Sequence, residues 1–72
     1  MTEEITSIVL KQSPTELYKI LKFEGLVASG GEAKIVIADG QVTVNGNTET
    51  RKRKKIISGD IISFDNHTLH IK

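Results

Sequence analysis

Five consecutive cations, Arg51, Lys52, Arg53, Lys54 and Lys55, are the residues of this chain best suited to chemistry, and that chemistry is the binding of an anion. Arg offers a planar fork that meets a phosphate with two hydrogen bonds, and Lys adds a mobile point charge. The run holds five of the ten Lys and Arg residues, so the remainder of the 72-residue chain carries five cations against nine Asp and Glu. A net charge of +1 therefore hides a basic block on an acidic body, which is a polarised molecule. Glu49 precedes the run and Asp60 follows it, but no acid interrupts it. In an extended segment Arg51, Arg53 and Lys55 would share one face and Lys52 and Lys54 the other. Neutralising about three to five phosphates would give a log–log salt slope of roughly −2 to −4.

A second candidate is Ser29-Gly30-Gly31-Glu32-Ala33-Lys34. Free N–H groups at a helix start suit a phosphate, Gly30 and Gly31 admit a close backbone, and Lys34 lies one turn in. Against this, Ser29 and Glu32 form a capping box that satisfies those donors, and the Glu32 carboxylate repels a phosphate. Lys34 is thus the stronger contact, with Ser29, Gly30 and Gly31 secondary. Lys19 and Lys22 share an exposed helical face and could widen the footprint, although an ordinary solvated face accounts for them better.

Other chemistries find little support. His67 and His70 are three apart in an expected strand and face opposite sides; with no cysteine and no third ligand, no metal site is expected. No histidine stands beside a candidate nucleophile with an orienting acid, so no catalytic residue is assigned. The phosphate-loop pattern G-x-x-x-x-G-K-[ST] is absent, and no cofactor or small-molecule substrate is indicated. Aromatics are limited to Tyr18, Phe23 and Phe64, too few for a stacking platform along a single strand. Phe64 and Phe23 are assigned to packing and Tyr18 to a half-buried position.

The elements that must hold these residues follow from pattern. Residues 4–10 are β-branched and read as a short strand or arm. Ser13-Pro14-Thr15-Glu16 predicts a capped helix start, with Leu17, Ile20 and Leu21 on its buried stripe and Gly25 as its stop. Leu26 and Val27 fold back beyond it. Ser29 starts a second helix with Ala33, Val36 and Ile37 inward, closed by Asp39 and Gly40. Val42-Thr43-Val44 alternates into Asn45-Gly46, a strong hairpin signal, with Asn47 to Thr50 returning. Ile56 and Ile57 resume the pattern, Ser58-Gly59-Asp60 turns into Ile61–Phe64, and Asp65-Asn66 turns into His67–Ile71. The fold class is α+β, two short packed helices on a small, mainly antiparallel sheet. One domain over 1–72 is expected. The acidic start Met1-Thr2-Glu3-Glu4 lacks a signal-peptide pattern, no apolar run approaches a membrane span, and the missing cysteines fit a reducing cytoplasm.

Ser29, Ala33, Ile37, Gly40, Val42, Val44, Asn45 and Gly46, followed by Gly59-Asp60-x-Ile62, stand at the spacing of a known family. Over roughly residues 14 to 65 the chain resembles the RNA-binding domain named after bacterial ribosomal protein S-four. Its form is similar to the small free-standing bacterial members of the YaaA/YbcJ type. The resemblance implies an alpha-L fold, a helix pair against a bent sheet, and binding to structured RNA. One departure stands out: family members usually carry Arg straight after the serine, where this chain has Gly30, while Lys34 keeps a cation one turn on.

The reading is a non-catalytic, cytoplasmic, monomeric RNA-binding protein that recognises structured RNA, ribosomal RNA and ribosomal particles among the candidates, through Lys34 and residues 51–55. A rival is a protein-interaction adaptor for an acidic partner. A ubiquitin-like sulfur carrier is disfavoured, because the chain ends His70-Ile71-Lys72 and not Gly-Gly. Charge alone does not separate RNA from DNA.

Overall fold

The computed structural model describes residues 4–72; the start of the acidic segment, Met1-Thr2-Glu3, lies outside the described residues. In chain order the elements are β1 (Glu4–Ile8), β2 (Thr15–Glu16), α1 (Leu17–Phe23), α2 (Gly30–Ala38), β3 (Val42–Val44), β4 (Asn47–Thr48), β5 (Lys55–Ile56), β6 (Ile61–Phe64) and β7 (His67–Ile71). One sheet runs β1-β7-β6-β3-β4 and a two-stranded ribbon joins β2 to β5. All pairings are antiparallel except β1 with β7, so the α+β expectation holds with a mixed, mostly antiparallel sheet. The arm read over residues 4–10 is largely that parallel strand.

The two helices are short because their ends are chemically fixed. Gly25 and Gly40 adopt φ of +72° and +82°, values a β-carbon resists. After α1, the Leu26 N–H donates to the Leu21 carbonyl and the Gly25 N–H to Lys22; after α2, Gln41 donates to Val36 and Gly40 to Ile37. Both are Schellman closures that satisfy carbonyls otherwise left without donors. Neither helix is long enough to be stable alone. Leu17, Ile20 and Leu21 of α1 and Ala33 and Ile37 of α2 are buried with Val42, Val44, Ile56, Ile62, Leu69 and Ile71, with Val27 of the connecting loop beside them. Each fully buried Leu or Ile contributes on the order of 1.5–3 kcal/mol, which is what holds the helices to the sheet.

The hairpin dipeptide has a wider role than its turn. Asn45 takes φ of +54° and Gly46 +84°, closing β3 on β4. The Asn45 side chain also donates to Asp60 Oδ1 (3.0 Å) and accepts the Ile61 N–H (2.9 Å), while Asp60 Oδ2 accepts the Ile57 N–H (3.0 Å). Val-Asn-Gly and Gly-Asp-x-Ile, distant in sequence, are therefore one hydrogen-bonded corner.

Two expectations are corrected. Helix α1 does not start at Pro14 with a Ser13–Glu16 capping box: Thr15 and Glu16 are strand residues paired with Ile56 and Lys55, and Glu16 occupies the cap position without a side-chain cap bond. The Ser13–Pro14 peptide is cis. Phe23, the last residue of α1, does not pack inward but is 71% exposed, whereas Leu17, Ile20 and Leu21 of the same helix are buried. Phe64 lies at the margin of the core, partly buried against it.

Candidate nucleic-acid interface

The basic run is a turn and not an extended strand. Lys54 N–H donates to the Arg51 carbonyl (3.1 Å), Lys52 and Arg53 form the bend, and only Lys55 enters β5. The alternation of faces expected for the run is thereby lost. What fixes the turn is the start of α1, whose first free N–H groups need acceptors. Leu17 N–H donates to the Lys54 carbonyl (2.9 Å) and Tyr18 N–H to the Lys52 carbonyl (3.1 Å). The loop's own backbone caps the helix in place of the Ser13 cap that the sequence suggested; Lys52 is exposed and Lys54 half-buried.

The acids have sorted the cations into three groups. Arg51 pairs with Glu49 (Nε to Oε2 2.9 Å), and the same carboxylate accepts the Arg51 backbone N–H at 3.2 Å. This bonding holds the Glu49 carboxyl below its usual range and raises the Arg51 guanidinium. Arg53 (4.0 Å), Lys55 (3.8 Å) and Lys19 (3.5 Å) converge on Glu16. Burial pushes that carboxyl up, but the charges of Lys55, Lys19 and Arg53 outweigh it and leave the group below its ordinary value. Lys52 and Lys54 have no ion pair among the described residues. Sequence reasoning found the cations but missed Glu16 as their hub, since only the β2–β5 pairing brings it there.

Tyr18 joins this loop to the second helix. Its ring lies about 3.9 Å from where a β-carbon on Gly30 would sit, and the Lys34 ammonium stands 5.0 Å above its centroid. That cation–π contact is worth about 0.5–1 kcal/mol and orients the Lys34 side chain. Ala38, one turn beyond Lys34 on the same stripe, lines a shallow concavity with Thr50 and residues 51–55. Lys34 and the basic loop thus meet around Tyr18, whose half-buried position agrees with its pattern.

The start of α2 is occupied from within. The Glu32 N–H donates to Ser29 Oγ (3.1 Å), and Glu32 Oε1 accepts the Ala28 N–H (2.7 Å). Ser29 is spent as a cap, with Gly31 exposed beside it. Lys19 and Lys22 line a groove between residues 8–16 and α1, together with Lys55 and Gly30. His67 and His70 are both half-buried on β7. Among the described residues there is no group of three or more His, Cys, Asp or Glu that could hold a metal ion, and no helix long and apolar enough to cross a membrane.

A helix pair on a mixed sheet, with a cationic turn clamped to the first helix, defines a small α+β module that presents positive charge along one edge. The chain belongs to the S4 domain family, whose model matches residues 8–72. It is 49% identical over 61 residues to the "Putative RNA-binding protein YbcJ" of Escherichia coli (strain K12), covering 85% of this chain and 87% of that one. The YbcJ protein of Shigella flexneri matches to the same extent. The solution structure of E. coli YbcJ, described as revealing an ALFAL motif involved in RNA-binding, superposes with a TM-score of 0.66 at 44% identity, covering 99% of this chain and 89% of that one. The 30S ribosomal protein S4e from Thermoplasma acidophilum shares the fold with a TM-score of 0.58 at 26% identity, over 82% of this chain and 31% of that longer one. The fold is the alpha-L fold that the family resemblance implied.

Proposed function

We propose that this chain is a non-catalytic RNA-binding protein, one domain over its length, that docks on structured RNA through the edge formed by residues 51–55, Lys19 and Lys34. The observation that carries the reading is the clamping of the cationic turn onto α1 by the Lys52 and Lys54 carbonyls, which fixes the backbone while Arg51, Lys52, Arg53 and Lys55 are exposed and Lys54 is half-buried. A preorganised row of cations loses less freedom on binding than a mobile loop would. Similarity to an E. coli protein described as carrying an RNA-binding motif supports the choice of RNA among polyanions. The scarcity of exposed aromatic rings favours recognition of backbone and helical shape over a run of splayed bases. Ribosomal RNA within ribosomal particles is a fitting target, reached in the cytoplasm.

The test is a titration of fluorescently labelled hairpin RNA with the protein across a salt series, with a DNA duplex of matched sequence as competitor. Binding that weakens steeply with salt and resists the DNA competitor is the expected result. Changing Arg51, Arg53 and Lys55 to Glu should abolish it. Unchanged affinity and salt slope in that variant would refute the assignment. In cell extracts, partners retained after nuclease treatment would favour the acidic-protein adaptor instead.

A further inference from the structure

We infer that the groove between residues 8–16 and α1 holds an unpaired nucleotide flanking the structured RNA, with its base stacked on Phe23. This rests on the RNA-binding reading above. Phe23 is 71% exposed and Val9 76% exposed, and both line this groove, so its wall offers an aromatic face and an apolar floor to solvent. Every base has a π-face that such a ring accepts without regard to sequence.

Charge completes the fit. Lys19 lies four residues before Phe23, on the same side of the helix, which places an ammonium within reach of the phosphate of a nucleotide stacked on the ring. Lys22 lines the groove from α1 and Lys11 from the facing arm. Two acids also line it. Glu16 is engaged by Lys19, Arg53 and Lys55 and offers little free negative charge. Glu24 follows Phe23 and disfavours a phosphate at that end, so the sugar–phosphate lies toward Lys19. Lys55 belongs both to this groove and to the cationic turn, so a strand leaving a bound stem enters the groove without crossing uncharged surface.

The experiment compares one hairpin stem in three forms: blunt, with a short single-stranded 5′ tail, and with a 3′ tail, each tail containing 2-aminopurine. One tail should tighten binding about 5- to 30-fold over the blunt stem and lose 2-aminopurine fluorescence on binding. Phe23→Ala should bind the blunt stem as the parent does, but with no gain from the tail and no quenching. Phe23→Leu, which keeps an apolar floor, should also lose the quenching. Absence of any tail gain in the parent overturns the inference, as does an equal weakening of tailed and blunt RNA by Phe23→Ala. Displacement of the tail by an acidic Leu- and Glu-rich peptide binding more tightly than the tail would assign the groove to a protein partner and overturn it too. If no hairpin binds, the RNA reading itself fails; a blunt stem that binds without a tail gain refutes only the groove.

Discussion

Replacing Lys52 and Lys54 together with Gln removes two charges that no carboxylate among the described residues pairs with. Their backbone carbonyls, which cap α1, stay in place. Around the turn, residues 51–55, Lys19 and Lys34 supply seven cations, and their ion pairs among the described residues engage two acids, Glu16 and Glu49, which leaves an excess of five positive charges. If each excess charge releases one counterion on binding, the log–log salt slope has a ceiling of about −4.5, so that affinity falls roughly 500-fold between about 50 and 200 mM salt. Losing two contacts reduces the slope to about −2.7 and the fall over that interval to roughly 40-fold. The parent and the variant should therefore differ by about 12-fold in their sensitivity to that salt change, whatever the absolute affinity. Fluorescence anisotropy of a labelled hairpin RNA across the series measures this, with thermal melts to verify that the cap on α1 survives. An unchanged slope, whether or not the affinity falls, would refute phosphate contact by these two lysines.

Other perturbations follow from the same geometry. Glu16→Gln releases Lys19, Arg53 and Lys55 from their shared carboxylate and should tighten hairpin binding several-fold with a steeper salt slope; weaker binding in the same titration would show that Glu16 aligns the cations. Gly40→Ala should lose about 1–2 kcal/mol in urea unfolding, since φ is +82° and the new methyl would make only ordinary contact with Thr48 at 3.6 Å. Gly31→Ala, at ordinary φ in the first turn of α2, should gain about 0.4–1 kcal/mol by the same measurement. The Glu49 carboxyl is lowered in the folded state, so the unfolded chain binds more protons as pH falls through the carboxylate range. The pair's stabilisation is full at neutral pH and is lost as pH drops through the lowered folded value. Unfolding midpoints of the parent and Glu49→Gln should therefore converge at acid pH.

Local signals were legible where the chain's neighbours in sequence are also its neighbours in space. Gly25 and Gly40 mark helix stops because positive φ is a property of one residue. Ser29 and Glu32 mark a start because the cap spans one turn. Asn45-Gly46 fixes its hairpin for the same reason. The start of α1 was misread because Ser13-Pro14-Thr15-Glu16 satisfies every local rule for a cap, while the strand pairing of Thr15 and Glu16 with β5 overrides it. The buried stripe Leu17, Ile20 and Leu21 was legible, but the exposure of Phe23 was not, since it stands three residues after Ile20 at the last position of the helix, where its cover depends on the tertiary fold.

The candidate site follows the same division. Its cations were visible as a run, but their grouping was not, because Glu16 reaches Arg53 and Lys55 only through the β2–β5 ribbon. That ribbon also sets Lys54 and Lys52 to cap α1, so one long-range pairing fixes the helix start and positions the hub carboxylate. A basic run of equal charge without the β2 segment and the backbone bonds to α1 would have the same long-range attraction for a polyanion but no defined shape. Shape is what A-form RNA offers a protein that reads few bases. On the proposed RNA-binding reading, the backbone groups that hold the turn define the shape of this surface and the cations supply its charge.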